Sequence, residues 1–440
     1  MRAFKNSIYA TLDVVFAPFF LVIATPIFIS QIGIEKYGLW ILINSILASL
    51  SIFNFGINET IIKYISESKS KNDIVAQRKV FSSVIIFLLI LALVILAVVY
   101  LLYSFNAFFE FIETKDIFKI MLFAIPLFFI KQIEQAFFAL HKSYEDFKYL
   151  AKQSFISKAL LYISQIAAVF IFDEVKDVFM VSMAIAGIYL FYQFFELSKK
   201  YNHIYSTKEA SFSTFKGVLG YGKWAWFSST ILIFSAHVDK WIVSAILGLK
   251  VFAYYSIGVS VLNQLKTIHT ASISWVFPKI SSNQLTEKAS ALLHIKLTVF
   301  VSTLGLLVSF ILEKVDFVFI LWLGETTFAS SKLYLHTFLF LLPVWLISAS
   351  SLYYLLGLGV VKKKFYADIV VLLLKIGVTY VALQKLNFEA WPILFVIPML
   401  VEVLLFSYIL NQHNKLKLLY LNLFIVFNII ILVLRFKHII

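Results

Sequence analysis

A lone ionisable side chain in hydrocarbon costs several kcal/mol, so charges inside apolar stretches are the informative residues. The run FFIKQIEQAFF (128–138) carries Lys131 and Glu134 three apart, on one helical face. Gln132 and Gln135 extend that polar strip. An ion pair that ties helices together and a lining for a cavity are both open readings. The run SAHVDKWIVS (235–244) carries His237, Asp239 and Lys240. Adjacent residues on a helix point different ways, so Asp239 and Lys240 need separate partners. Asp239 suits a protonatable or cation-binding group, or a bridge to a basic residue of another helix.

The run VLNQLKTIHTAS (261–272) is the most polar, with Asn263, Gln264, Lys266 and His269. Lys266, Thr270 and Asn263 lie three to four apart and share a face. Facing lipid, such a helix is very unfavourable, so it is expected to line water or substrate, or to form a polar seam between helices. Lysine is a compact cation able to hold phosphate oxygens. Asp13 sits in a stretch with Pro18 and Pro26, where loosened backbone hydrogen bonds allow a hinge or a static kink. Asp368, Lys375 and Glu402 complete the set.

Other chemistries lack their residues. There is no P-loop and no HExxH, the eight histidines are scattered, and there is no cysteine. No metal site, cofactor or catalytic residue is expected. The sequon Asn58-Glu59-Thr60 falls at a membrane boundary and reads as chance.

These residues need spanning helices to position them. The chain of 440 residues is 61% hydrophobic and 14% charged, against roughly 25% charged in soluble domains. Its solvent must mostly be lipid. Spans of about 20 apolar residues are predicted at 8–30, 38–59, 80–103, 117–140, 156–172, 178–197, 224–247, 254–277, 295–312, 333–356, 366–384 and 391–410, with a further one at 418–434. The first reads as a span rather than a cleavable signal peptide, because its apolar run is too long. With the N-terminus in the cytoplasm, the inner loops hold about three times as many basic residues as the outer ones. The net charge of +14 therefore reads as topogenic loops, not a nucleic-acid surface. The stretch 61–79 reads as a short amphipathic helix on the inner interface. The outer connections 104–116 and 313–332 read as lying against the bilayer.

GIEKYGLW (33–40) matches GLKVFAYY (248–255) at a shift of 215, and FFALHKSYEDF (137–147) matches YYLLGLGVVKKKF (353–365) at a shift near 218. The matches keep order and spacing, so the fold class is all-α, a polytopic membrane protein of two six-helix bundles related by a parallel repeat, plus an extra C-terminal helix. The expected divisions are 1–200, a connecting loop 201–223, a second bundle 224–412, and an apolar segment 413–440.

The chain resembles the polysaccharide transporters of the multidrug/oligosaccharidyl-lipid/polysaccharide exporter superfamily, especially Wzx-type O-antigen flippases. The match rests on Asn6 before a proline-bearing first span, QIGIEKYGLW (31–40), HVDKWIVSAILGLKVFAYYSIGVSVL (237–262), FPKISS (277–282), ILWLGETTFA (320–329) and LLGLGVVKKKF (355–365). The resemblance implies a two-bundle transporter of the bacterial inner membrane. It would flip an undecaprenyl-diphosphate-linked oligosaccharide through a cationic central cavity by alternating access. Lys131, Lys266, Asn263, His269 and Gln135 are the expected cavity residues. Asp239, Glu134 and Asp13 are the expected coupling or gating groups. The expected partners are the lipid-linked oligosaccharide, a proton or sodium counter-ion, membrane lipids and glycan polymerase machinery, with no nucleic acid.

Two rivals remain in view. A multidrug antiporter of the same superfamily favours carboxylates for cationic substrates, whereas the deep charges here include four lysines, Lys131, Lys240, Lys266 and Lys375. A membrane glycan polymerase needs a long polar outer loop, and no outer connection here is long enough to build its site. Because the chain has no cysteine, single-cysteine labelling tests the topology cleanly. Lys363→Cys is expected to react with a membrane-impermeant maleimide only in inverted vesicles, and Lys176→Cys only in whole spheroplasts. The opposite pattern refutes an inside N-terminus.

Overall fold

In lipid a backbone has no water to satisfy its N–H and C=O groups, so an apolar stretch must bond to itself as a helix. The computed structural model describes residues 2–54, 57–105, 115–201, 204–206, 209–210, 212–273, 276, 280, 286–385 and 391–413. Among these the regular structure is helical, with no strand. The helices are α1 (Arg2–Leu50), α2 (Ile57–Ser70), α3 (Ile74–Phe105), α4 (Lys115–Ser143), α5 (Phe147–Ile171), α6 (Val175–Lys200), α7 (Phe212–Ile273), α8 (Glu287–Lys314), α9 (Asp316–Leu323), α10 (Glu325–Gly357), α11 (Val361–Lys385) and α12 (Val396–His413). Short 3₁₀ turns cover Ser51–Asn54 and Trp391–Phe395.

Nine helical segments among the described residues are long and apolar enough to cross a membrane. Two of them, Phe20–Asn54 and Ser229–Thr270, each hold two predicted spans. The helix α4, with Lys131, Gln132, Glu134 and Gln135 in its middle, is outside the nine. The chain is thus an all-α, multi-pass membrane protein. The predicted span 418–434 and most of the outer connection 104–116 lie outside the described residues.

The two doubled helices break at a glycine each. Gly33 (φ 82°, ψ 164°) interrupts α1, and Gly248 (φ 76°, ψ 170°) interrupts α7. This backbone region is essentially open to glycine alone. The helical run continues through Pro18 and Pro26; the break falls at Gly33 instead. Both reversals are pinned by a tyrosine hydroxyl. Tyr37 meets Thr25 at 3.2 Å, and Tyr255 donates to Asp239. Gly33 and Gly248 are related by the same shift of 215 that the sequence match carries.

A second pair of turns repeats as well. After α4, Glu145 (φ 60°) bonds to Lys142 O at 3.0 Å and Asp146 N to His141 O at 3.0 Å. After α10, Gly359 (φ 73°) bonds to Leu356 O at 3.0 Å and Val360 N to Leu355 O at 3.2 Å. Both are Schellman caps, with the left-handed residue just past the helix end. Their shift is 214, against the shift near 218 of the sequence match. The backbone hydrogen bonds fix the register, and the sequence match slips by about one turn.

The chain divides into two compact units, Met1–Ile233 and Phe234–Ile440. The predicted connecting loop 201–223 is helical from Phe212 onward, as the start of α7. In the first unit α1 packs on α5, α4 on α3 and α6, and α5 on α6. The predicted interfacial helix 61–79 is instead α2, ending at Ser70, with a turn at Asn72 before α3. Its apolar face, Ile57, Ile61 and Ile65, is buried by Phe81, Val84, Phe137 and Leu140 rather than by lipid. Lys63, Glu67 and Lys69 face outward.

In the second unit α10 is the central helix, packed on α8, α9, α11 and α12. Its interior is rich in small hydroxyl residues, with Ser331, Thr337, Ser348, Ser350 and Ser351 all buried. The exposed positions carry large apolar groups such as Leu307, Phe310, Leu373 and Leu404. Lipid is as apolar as leucine, so helices associate through close packing and hydroxyl bonds while bulk faces outward. The connection 313–332 forms α9, which exposes Phe317, Val318 and Leu321 and buries Phe319 and Leu323.

A Cβ at Gly33 or Gly248 would meet no atom within 4 Å, so only the backbone conformation resists substitution. Gly33→Ala and Gly248→Ala are each expected to cost about 1–3 kcal/mol. Gly377→Ala, in the interior of α11 and equally uncrowded, is expected to be neutral or to stabilise by about 0.5–1 kcal/mol. Thermal unfolding in detergent separates the three; equal melting points for all would refute the strained reversals.

Candidate functional site

The reversal at Gly248 folds the second half of α7 back along the first. Asp239, before the break, therefore meets Tyr255, after it. Asp239 is buried, and its other oxygen receives Lys375 Nζ of α11 at 2.7 Å. The same ammonium donates to Ser235 O at 2.5 Å and lies 5.6 Å from the Phe395 ring centroid. Asp239 is thus held by a bridge to another helix, reinforced by the tyrosine. Lys240 lies within electrostatic range of both members of the bridge.

About three turns beyond Tyr255 along α7 the arrangement differs. Lys266 is half-buried, and its ammonium sits 4.5 Å from the centre of the Trp345 ring of α10. Among the described residues no carboxylate comes within 4.0 Å of it. Its electrostatic neighbours are Lys375, Glu402, Asp239 and Lys240. Lysines outnumber carboxylates in this group. His269, one turn on, places its ring 6.5 Å from Trp345 and has a buried Nε2 with no hydrogen-bond partner among the described residues. Asn263 is exposed. Glu402 of α12 is half-buried and lies near Ser348, one turn along α10 from Trp345.

In the first unit Lys131 and Glu134 do pair, at 3.0 Å. Ser157 of α5 closes the group, receiving a bond from Lys131 at 2.6 Å and donating to Glu134 at 2.7 Å. Glu134 is buried and Lys131 half-buried. Tyr189 of α6 lies within electrostatic range of Glu134 and donates to Gln153. Gln135 points away from this group and is exposed. Asp13 lies on α1, and its side chain is outside the described residues.

The expected residues thus fall into separate groups. Lys131 and Glu134 belong to the first unit; Asp239, Asn263, Lys266 and His269 belong to the second. Lys266 and His269 share Trp345; Asn263 and Gln135 stand apart. Sequence reasoning missed Lys375 as the partner of Asp239, Ser157 in the Lys131 group, and Trp345. Among the described residues no cluster of three or more His, Asp or Glu could hold a metal ion.

The polysaccharide biosynthesis protein family matches residues 3–284, more than half of the chain. The chain belongs to this family. It is 24% identical over 344 residues to a Shigella flexneri protein assigned as an O-antigen transporter, covering 74% of this chain and 78% of that one. Its fold is that of transporters of the MOP superfamily. An inward-facing multidrug MATE transporter superposes with a TM-score of 0.64 at 15% identity, covering 92% of this chain and 98% of that one. An outward-facing MATE transporter gives 0.63 at 13% identity, covering 94% and 95%. A Pyrococcus furiosus transporter, described as having a binding pocket of reversed polarity, gives 0.63 at 14% identity, covering 93% and 96%.

Removing one member of a buried ion pair leaves an uncompensated charge and costs about 3–5 kcal/mol. Lys375→Met is therefore expected to destabilise the protein by that amount, and Asp239→Asn with Lys375→Met to recover most of it. A double-mutant cycle on detergent unfolding checks this. Additive losses would remove the bridge as a structural element.

Proposed function

We propose that this protein is a flippase for an anionic, lipid-linked oligosaccharide, an undecaprenyl-diphosphate-linked repeat unit of a surface polysaccharide, in the bacterial inner membrane. Membership of the polysaccharide biosynthesis family and similarity to a Shigella O-antigen transporter support a polysaccharide substrate. The observation that carries the reading to this chain is Lys266: a deep ammonium resting on an aromatic face instead of a carboxylate. A cation–π contact is worth about 0.5–2 kcal/mol, and a phosphate oxygen that offers a charge-assisted bond replaces it readily. Lys240 and Lys375 add positive potential to the same group. That polarity suits an anionic head. A carboxylate-rich site would suit a cationic drug, and the reversed pocket of the Pyrococcus transporter is described as suggesting a different function.

In this reading Lys266 takes the diphosphate, with His269 beside it, while Asn263 meets the glycan. Lys131 is already neutralised by Glu134, so its group serves as a gate, with Asp13 as a further candidate. The Asp239–Lys375 bridge is the coupling element, opened by a proton or sodium ion as alternating access proceeds. The N-terminus lies in the cytoplasm, and the glycan polymerase receives the product.

Lys266→Ala in a strain lacking its own flippase is expected to lower surface glycan at least tenfold, with the inserted protein level unchanged. Lys266→Arg keeps the charge and is expected to retain a substantial part. Normal glycan from well-inserted Lys266→Ala would remove this residue from the mechanism.

A further inference from the structure

Trp345 is the least explained member of the Lys266 group. A tryptophan inside a membrane bundle usually fills space, yet this ring is only half-buried. Its face holds an ammonium at 4.5 Å. The ring of His269, whose buried Nε2 has no hydrogen-bond partner among the described residues, lies 6.5 Å from it. One turn along the same helix, Ser348 lies near Glu402, whose carboxyl is within electrostatic range of Lys266. The group therefore combines an aromatic face, a cation, an imidazole nitrogen and a carboxyl.

That combination has two chemistries side by side. The ammonium fits a phosphate. The ring, with hydrogen-bonding groups at its edges, fits a pyranose: C–H bonds pack on the π face, and hydroxyls bond to imidazole and carboxyl. A diphosphate-linked sugar presents these two features next to each other.

Resting on the function proposed above, we infer that Trp345 is the platform for the first sugar of the lipid-linked glycan, with the diphosphate on Lys266. In the empty protein the ring face is occupied by the Lys266 ammonium. On binding, the diphosphate draws that ammonium away and the sugar takes the vacated face. His269 Nε2 and Glu402 then accept or donate bonds at the sugar's rim. Trp345 is a specificity-determining residue in this scheme: it distinguishes a glycosylated head from a bare diphosphate.

The test measures binding of purified protein in nanodiscs to undecaprenyl diphosphate and to the same lipid carrying one sugar, from a panel of N-acetylglucosamine, glucose and galactose. Wild type is expected to bind at least one glycosylated lipid about tenfold tighter than the bare diphosphate. Trp345→Leu is expected to abolish that preference while binding the bare lipid as well as before or better, since Lys266 is released. Trp345→Phe keeps an aromatic face and is expected to retain part of the preference. A preference unchanged in Trp345→Leu overturns the inference, as does an equal loss for both lipids, which marks the ring as a support for Lys266 only. Wild type that binds neither lipid overturns the underlying function instead. Thermal unfolding of each variant confirms that folded protein is compared.

Discussion

In this chain every deep charge has to find its counterpart inside the protein, because hydrocarbon supplies none. The constraint sorts the lysines. Lys375 spends its ammonium on Asp239 and a backbone carbonyl, Lys131 on Glu134 and Ser157, and Lys364 on Asp368 at 2.5 Å. Each of these is closed by a carboxylate. Lys266 is closed by an aromatic face. Breaking a carboxylate bridge costs several kcal/mol, whereas leaving a ring costs about 0.5–2. The first three are suited to hold helices until a proton or cation neutralises the carboxylate; the fourth is suited to be exchanged for a phosphate.

The positions of these groups follow from the backbone reversals. Asp239 and Tyr255 are sixteen residues apart in sequence and adjacent in space because Gly248 turns the helix back on itself. The same device at Gly33 joins Thr25 to Tyr37. The repeated caps at Glu145 and Gly359 set the next helix of each unit by the same pair of hydrogen bonds. A turn that depends on one residue type and a cap that depends on two backbone bonds need little sequence. This is why the units share backbone form while few side chains correspond.

Hydropathy made the helices legible, since an apolar run in lipid has only one regular structure to adopt. The glycine-led match GIEKYGLW to GLKVFAYY was also readable, because the backbone demands glycine there. What sequence could not supply was pairing. Nothing local to Asp239 points to Lys375, 136 residues away, and a lone serine among many gives no sign that Ser157 completes the Lys131 group. Trp345 was hidden for a different reason. In a chain that is 18% aromatic, one more ring inside a span carries no signal until its neighbours are known. The register of the second repeat slipped because its two matched segments, FFALHKSYEDF and YYLLGLGVVKKKF, differ in length and so do not fix a single shift. The amphipathic pattern of α2 was seen, but pattern alone does not say whether protein or lipid covers the apolar face. In the structure it is protein, and α3 and α4 supply it.

A carrier that moves a head group through the bilayer must bind it well enough to extract it and weakly enough to let it go. A site built around a fully unpaired cation would hold a diphosphate too tightly, since nothing competes for the charge when the substrate leaves. A site built around a carboxylate bridge would hardly open. An ammonium resting on a ring falls between these limits. The ring stabilises the empty state modestly, so the cation is not stranded in hydrocarbon, and it is ready to take the ammonium back on release. The net gain on binding is then the phosphate contact less the ring contact, which leaves the cycle reversible. Glu402, within electrostatic range of Lys266, moderates the potential further. Under the proposed function, weak self-satisfaction of Lys266, more than raw positive charge, is what would suit this group to transport rather than capture.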